Sequence, residues 1–243
     1  IRLLCDAYSA NVNKIDVAFI YNPEQPLVHP KFSSWINVSN FYYHFQEILP
    51  ILNINPKLGS IFLFDSRKNF ELFLKQNKNK YYFQPSLSCY FNRVGVFMDD
   101  YIVARYFYLK NGFMPKLEFK LATSKWVKAF VRKNIGVKIM VTVNLRFNLQ
   151  YTLDRNSDLE AWSKFFEYSK EKTPDIMFVI VGRKGELDGK FKNFSNIIFS
   201  KDYNTNIEQD LVLIQCALFH MGTTSGPASL PLFSEDIPYI LTD

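Results

Sequence analysis

The chain has 243 residues, 48% of them hydrophobic and 21% charged. That length holds one large domain or two small ones, and that apolar fraction excludes bulk disorder. Nine glycines and eleven prolines exclude collagen-like and linker-like compositions, while 29 basic against 23 acidic side chains leave a formal +6 that weakly favours anionic partners.

In chain order, short apolar runs alternate with longer segments of helical spacing. The first part reads as strand 15–21, helix 39–52, strand 60–65 and helices 67–78, 99–110 and 124–133. The second reads as strand 137–145, helix 156–172, strands 176–181 and 196–199, helix 206–217, strand 218–221, helix 225–233 and strand 238–241. Continuously apolar strands separated by helices imply parallel sheets covered on both faces. The expected fold class is therefore α/β, with two Rossmann-like lobes at 1–120 and 137–243 and the break near 121–136. Ser157 precedes Asp158 and Glu160, acids that a helix N-terminus favours, and Ser124 is expected to cap the helix carrying Trp126 and Phe130. Aromatics make up 17% of the chain, with 24 Phe and 14 Tyr, which reads as a core rich in flat rings.

Several function classes recede. The basic cluster Lys75–Lys80 reads as a solvated helix end, and no arginine-rich arm or finger spacing is present, so no nucleic acid is expected as a partner. Cys5, Cys89 and Cys216 are odd in number and widely spaced, which fits neither a disulfide framework nor a metal site, and Cys216 reads as a small core residue. A reducing compartment fits that usage. Residues 1–20 lack the pattern of a signal peptide, and the longest uncharged stretch, 211–234, is broken by Met-Gly-Thr-Thr-Ser-Gly-Pro, so no spanning helix is expected. The chain opens without Met and stops after an apolar strand-like run, which reads as a piece of a longer protein.

Four segments can carry chemistry. In the first, an apolar strand runs into Gly222, Thr223, Thr224, Ser225 and Gly226 ahead of a small-residue helix start. A strand that delivers the chain to a helix N-terminus offers free N–H groups to an anion, and the glycines are expected to let a ligand approach the backbone. An ordinary turn capped by Ser225 has the same composition. In the second, a buried strand ends at Asn144 and Arg146, with Asn148 close behind. The carboxyl edge of an open α/β sheet borders the ligand crevice, and a guanidinium fork suits phosphate oxygens, although a surface ion pair is the plainer role. In the third, Arg155 and Asn156 lie in a polar loop before the next helix. In the fourth, a strand ends at Gly182 and Arg183, a pattern shared with solvated turns. Parallel strands put all these ends on one edge.

These residues resemble a family. Arg155-Asn-Ser-Asp, the run from Asn206 through His220-Met-Gly-Thr-Thr-Ser-Gly-Pro, and the closing Leu-Pro-Leu-Phe-Ser-Glu-Asp-Ile-Pro-Tyr-Ile-Leu-Thr resemble bacterial glycosyltransferases of the GT-B type. The strand ending in Arg146 is similar to the strand end of fucosyltransferase-like members, in which the arginine holds the nucleotide diphosphate. The resemblance covers roughly 137–243. It implies a metal-independent transferase that binds a nucleotide sugar in its second lobe, with GDP-fucose the favoured donor and a glycan acceptor nearer the first lobe. It further implies a cytoplasmic enzyme of polysaccharide biosynthesis, with peripheral association at the inner membrane face. No resident cofactor is implied, and oligomeric state is left open. Arg146 would neutralise the leaving diphosphate, and 223–226 would hold phosphate or ribose. Asn144 stands where some relatives have His, and Ser234-Glu-Asp-Ile-Pro replaces the family's Gly-Val-Pro.

An inverting transferase needs a base for the acceptor hydroxyl, and His44, Asp6, Asp16 and Asp65 are the candidates, with His44 carried forward as catalytic. His29 is a further cleft candidate. Asp99 and Asp100 read as a helix N-terminal acid pair rather than a metal site, and His220 as a hydrogen-bonded core residue. Ser225 is no nucleophile elbow, and Gly182–Gly185 lacks phosphate-loop spacing. Two further functions remain open: a nucleotide-sugar epimerase on the same scaffold, and a non-catalytic module that binds nucleotide or glycan.

Overall fold

The computed structural model describes residues 2–9, 11–20, 41–78, 80, 96–147, 156–183, 185, 187, 189–223, 226–232, 234 and 236–242. The chain divides into two compact units, Ile1–Leu117 and Glu118–Asp243.

The first unit contains α1 (Arg2–Ser9), β1 (Ile15–Ile20), α2 (Phe41–Asn53), β2 (Leu58–Phe64), α3 (Arg67–Asn77) and α4 (Val96–Asn111). The strands β1 and β2 pair in parallel, so the unit is built on a strand–helix–strand crossover. Ring-on-ring contacts hold it together. Phe62 and Phe64 of β2 meet Phe73 of α3 at 5.0 and 5.2 Å between ring centres, and Phe64 meets the buried Phe70 at 5.3 Å. Cys5 and Ala7 of α1 are buried, as are Ala104 and Phe107 of α4, the helix α1 packs against. Phe70 and Phe107 are buried, while Tyr8, Tyr42, Tyr106, Tyr108 and Phe113 of this unit are exposed, so the aromatics here are divided between core and surface. The helix α1 was absent from the sequence reading: it is eight residues long, with no acidic residue in its first turn and no basic one in its last to announce it.

The second unit contains α5 (Leu121–Asn134), β3 (Ile139–Asn144), α6 (Leu159–Lys172), β4 (Ile176–Val181), β5 (Ile197–Phe199), a 3₁₀ turn (Ser200–Tyr203), α7 (Ile207–Cys216), β6 (His220–Gly222), α8 (Ser229–Leu232) and β7 (Tyr239–Leu241). Its strands form one parallel sheet in the order β5-β4-β3-β6-β7. The chain steps outward from β3 through β4 to β5, then returns to the other side of β3 as β6 and β7. That is the doubly wound order, with its switch point between β3 and β6. Both faces are covered, which is why β3 is buried at every position after Ile139. Val141, Val143 and Leu145 join Trp162 and Phe166 of α6 and Phe178 of β4 in one apolar cluster. By strand alternation Thr142 belongs to the opposite face, the one α7 packs against.

Residues 121–134, expected between lobes, form a helix of the second unit, and a buried carboxylate explains it. Glu208 of α7, 2% exposed, accepts the Lys120 backbone N–H through Oε1 at 3.0 Å. Lys120 is the N-cap of α5 and has no side-chain cap of its own, so Glu208 serves that helix end from across the interface. The helix begins before Ser124, which therefore caps nothing. The cap of α6 is Asp158, whose Oδ1 accepts from Glu160 N and Ala161 N at 3.0 Å, and not Ser157. Asn206 and Gln209 close a reciprocal capping box on α7. Cys216, expected in the core, is exposed at the last residue of α7.

His220 is fully buried, and its Nδ1 lies 3.1 Å from Thr142 Oγ1 on the neighbouring strand. Desolvation by burial pulls its imidazole from an ordinary 6.5 to about 4, so the folded protein keeps it neutral. The unfolded chain takes up that proton near pH 6.5 and the folded chain resists it until about pH 4. Folding stability is therefore complete above pH 6.5 and falls as pH drops through this window, by at most roughly 3 kcal/mol from this residue. Denaturant titrations across pH 4–7 should show a loss in the wild type that is markedly smaller in His220→Met, and parallel slopes would refute the assignment.

Candidate functional site

The site candidates gather where β3, β4 and β6 end. In register, Asn144 of β3 stands beside Val181 on one side and Gly222 on the other. Its side chain is 4% exposed and donates Nδ2–H to the Val181 carbonyl at 2.9 Å, while its own carbonyl accepts Thr223 N–H at 3.2 Å. One step outward, Thr242 N donates to Gly222 O at 2.9 Å. Asn144 is thus a clamp between strand ends.

Two glycines enclose that clamp. Gly182 has φ +141° and Gly222 has φ +140°, values that L side chains rarely adopt. A Cβ on Gly182 would sit 2.9 Å from Asn144 Nδ2, and one on Gly222 would overlap the Asn144 carbonyl. Gly222 is a glycine because a neighbouring strand's backbone fills its side-chain space. This corrects the expectation that its openness admits a ligand. Gly226 differs: it is exposed, and a Cβ there meets nothing within 4 Å.

Arg146, half-buried, lies two residues beyond β3. Its N–H donates to Ser157 Oγ at 3.0 Å, and Ser157 N–H returns a bond to the Arg146 carbonyl at 2.8 Å. The exit of β3 is thereby tied to the entry of α6. Asn156, half-buried, adjoins that tie. Thr223 follows β6 and is buried, and its hydroxyl has no hydrogen-bond partner among the described residues. Because β3 and β6 are adjacent, Arg146 and the turn beginning at Thr223 leave the same edge of the sheet at its switch point. The expected helix 225–233 is only Ser229–Leu232, four residues, too short to supply the dipole expected at this turn. Pro227 and Pro231 flank and interrupt it. Asn148, Arg155, Thr224 and Ser225 lie outside the described residues, as do His29 and Cys89.

A cavity of about 50 Å³ opens on the other side of β3, at the ends of β4 and β5. Gly182 and Arg183 line it, together with Lys192, Lys201 and Asp202, which the sequence reading did not single out. The signal was present: Arg146, Arg183 and Lys201 each follow the last residue of a strand by two positions, on three adjacent strands. Among the described residues, Arg146, Gly222, Thr223 and Gly226 are not in its lining.

The base candidates separate by position. Asp16 lies near the amino end of β1, where its Oδ1 accepts Ser60 N–H at 2.6 Å. Asp65 immediately follows β2 at the carboxyl edge and accepts Asn69 Nδ2–H at 2.7 Å. The backbone of His44 falls in α2 and that of Asp6 in α1, and their side chains lie outside the described atoms. Among the described residues, no group of three or more His, Cys, Asp or Glu side chains is placed to hold a metal, and no helix is long and apolar enough to cross a membrane.

The chain matches no protein-family model, no curated protein and no solved structure.

The glycine geometry makes a contrast that a pair of variants can measure. Gly222→Ala forces a Cβ into the Asn144 carbonyl at a left-handed φ, and should cost about 3 kcal/mol or more, or prevent folding. Gly226→Ala has open space and should change stability by less than about 1 kcal/mol in the same chemical denaturation. Equal tolerance at the two positions would remove the clamp.

Proposed function

We propose that this protein is a glycosyltransferase that moves a sugar from a nucleotide-sugar donor to a glycan acceptor. The donor's phosphates would bind at the carboxyl edge of the second unit. The observation that carries the reading is the run of cations two residues beyond β3, β4 and β5, beside the switch point of a doubly wound sheet. Such an edge is where open α/β sheets bind phosphorylated ligands. The resemblance of residues 137–243 to GT-B transferases narrows the ligand to a nucleotide sugar, with GDP-fucose the favoured donor. A GT-B arrangement of the two units, metal independence and work at the cytoplasmic face of a membrane belong to the same proposal.

The chemistry asked of the protein is modest. Departure of a nucleoside diphosphate builds negative charge on the bridging oxygen, and a positioned guanidinium stabilises that charge more than it stabilises the bound donor. Arg146 suits this role because both its backbone groups are tied to Ser157, so its Cα is fixed before ligand arrives. The buried, unpartnered Thr223 hydroxyl is available to a phosphate or ribose oxygen. The acceptor's proton would pass to a base of the first unit, with His44 and Asp65 the candidates.

Thermal shift with GDP, UDP and CMP should show stabilisation by at least one nucleotide. Arg146→Ala should lower nucleotide-sugar turnover by roughly 10²–10³-fold while the melting temperature of the free protein holds. Binding without turnover, with or without acceptor, would make the protein a non-catalytic nucleotide module. Conversion of the free nucleotide sugar would make it an epimerase, and the absence of any nucleotide effect would overturn the proposal.

A further inference from the structure

The outward side of α5 gathers charge of one sign. From Phe119 to Lys138 the sequence has six cations, Lys120, Lys125, Lys128, Arg132, Lys133 and Lys138, and no acid. Lys120 lies 4.0 Å from Glu208 Oε2. The other five are exposed, and among the described residues their side chains have no hydrogen bond or ion pair. A helix C-terminus favours cations in its last turn, which accounts for Arg132 and Lys133. It does not account for Lys125, in the first half of the helix, or for Lys128.

The spacing makes these charges a surface. Positions 121, 125, 128 and 132 recur at i, i+4, i+7 and i+11, so they form one stripe, opposite the buried Thr123, Val127 and Phe130. At the helical rise the stripe is roughly 16 Å long. Its ends are apolar. Leu121 is 70% exposed at the start of α5, and Val137 is fully exposed in the turn beyond its last residue. Burial pushes the Cys216 thiol up and the Lys128 charge pulls it down, so Lys128 reaches the end of α7. Leu218, 58% exposed, follows there.

Cations alone would suit any polyanion. Exposed leucine and valine gain nothing against a phosphodiester backbone, but they enter the headgroup boundary of a bilayer while ammonium and guanidinium groups meet lipid phosphates. We propose that this face of α5 is where the second unit rests on an anionic bilayer, with the helix axis in the plane of the interface. Lys125, Lys128 and Arg132 meet the phosphates, and Leu121 and Val137 enter the apolar boundary at either end. The inference rests on the membrane location in the proposed function and gives that location a surface. None of these residues belongs to the phosphate edge at 146, 183 and 201, so the two can be tested apart.

The test is flotation of the whole chain with vesicles of phosphatidylcholine, alone or mixed with phosphatidylglycerol. Binding is expected only with the anionic lipid and should weaken as salt is raised. Lys125→Gln, Lys128→Gln and Arg132→Gln together should lower vesicle affinity by roughly a hundredfold, while glutamine at Lys75, Lys78 and Lys80 of the first unit should change it by less than about threefold. Leu121→Ser with Val137→Ser keeps the charge and should weaken binding by roughly tenfold. All these side chains are exposed, so the melting temperature should hold. Should the triple variant not fold, Lys125→Gln and Lys128→Gln singly decide, each with an expected loss of roughly fivefold. An equal loss from the Lys75 set would reduce binding to net charge and overturn the surface. Unaltered affinity in the α5 variants, or no vesicle binding, would overturn it too. So would tighter binding to a DNA duplex that the serine pair leaves unchanged, which would make the partner a nucleic acid. Thermal shift with GDP, UDP and CMP separates this inference from the transferase reading. Nucleotide stabilisation without vesicle binding ends the surface and leaves the transferase, and vesicle binding lost in the α5 variants without any nucleotide effect leaves the surface and ends the transferase.

Discussion

The carboxyl edge of the second unit depends on how three strand ends are locked around Asn144. A buried amide must find partners, and this one finds the Val181 carbonyl through its side chain and Thr223 N–H through its backbone. The close fit requires glycine on both flanks, at 182 and 222, each at a φ that other residues resist. Strand ends that would otherwise splay are thereby held at fixed spacing, and everything beyond them inherits that precision. The cations at 146, 183 and 201 are carried on this frame.

Buried charge is the second organising theme. Glu208 and Asp210 sit on one helix, both essentially out of water, and each is consumed by a different task. Glu208 caps the start of α5 and so fastens that helix to the second unit. Asp210 anchors Lys201 and Thr205 beyond β5. One turn of α7 therefore ties the helical layer to both a neighbouring helix and the carboxyl edge of the sheet. His220 resolves the same problem differently, by remaining neutral against Thr142.

The strand pattern was largely legible because parallel strands covered on both faces are apolar at nearly every position, as the 176–181 run is. Helix starts were less so. Ser124 and Ser157 are good capping types, yet the caps come from Glu208 across an interface and from Asp158 one residue later, and no local pattern encodes a partner 88 positions away. The extent of α8 was overestimated because small residues at 225–229 suit a helix start, while prolines at 227 and 231 limit its growth. At the carboxyl edge, Arg146, Gly182 and Arg183 stood out by following apolar runs. Lys201 follows a run of only three residues, too short to mark it. The reason for Gly222 was invisible, because strand adjacency decides it: only the pairing of β3 with β6 brings the Asn144 carbonyl against that position.

The reciprocal bonds between Arg146 and Ser157 carry a consequence for how such an edge changes over time. They fasten two points eleven positions apart, and the grip on the Arg146 side is made by its backbone N–H and carbonyl, which any residue but proline at 146 would keep. The side chain carried at 146 can therefore be exchanged without loosening the union of β3 with α6.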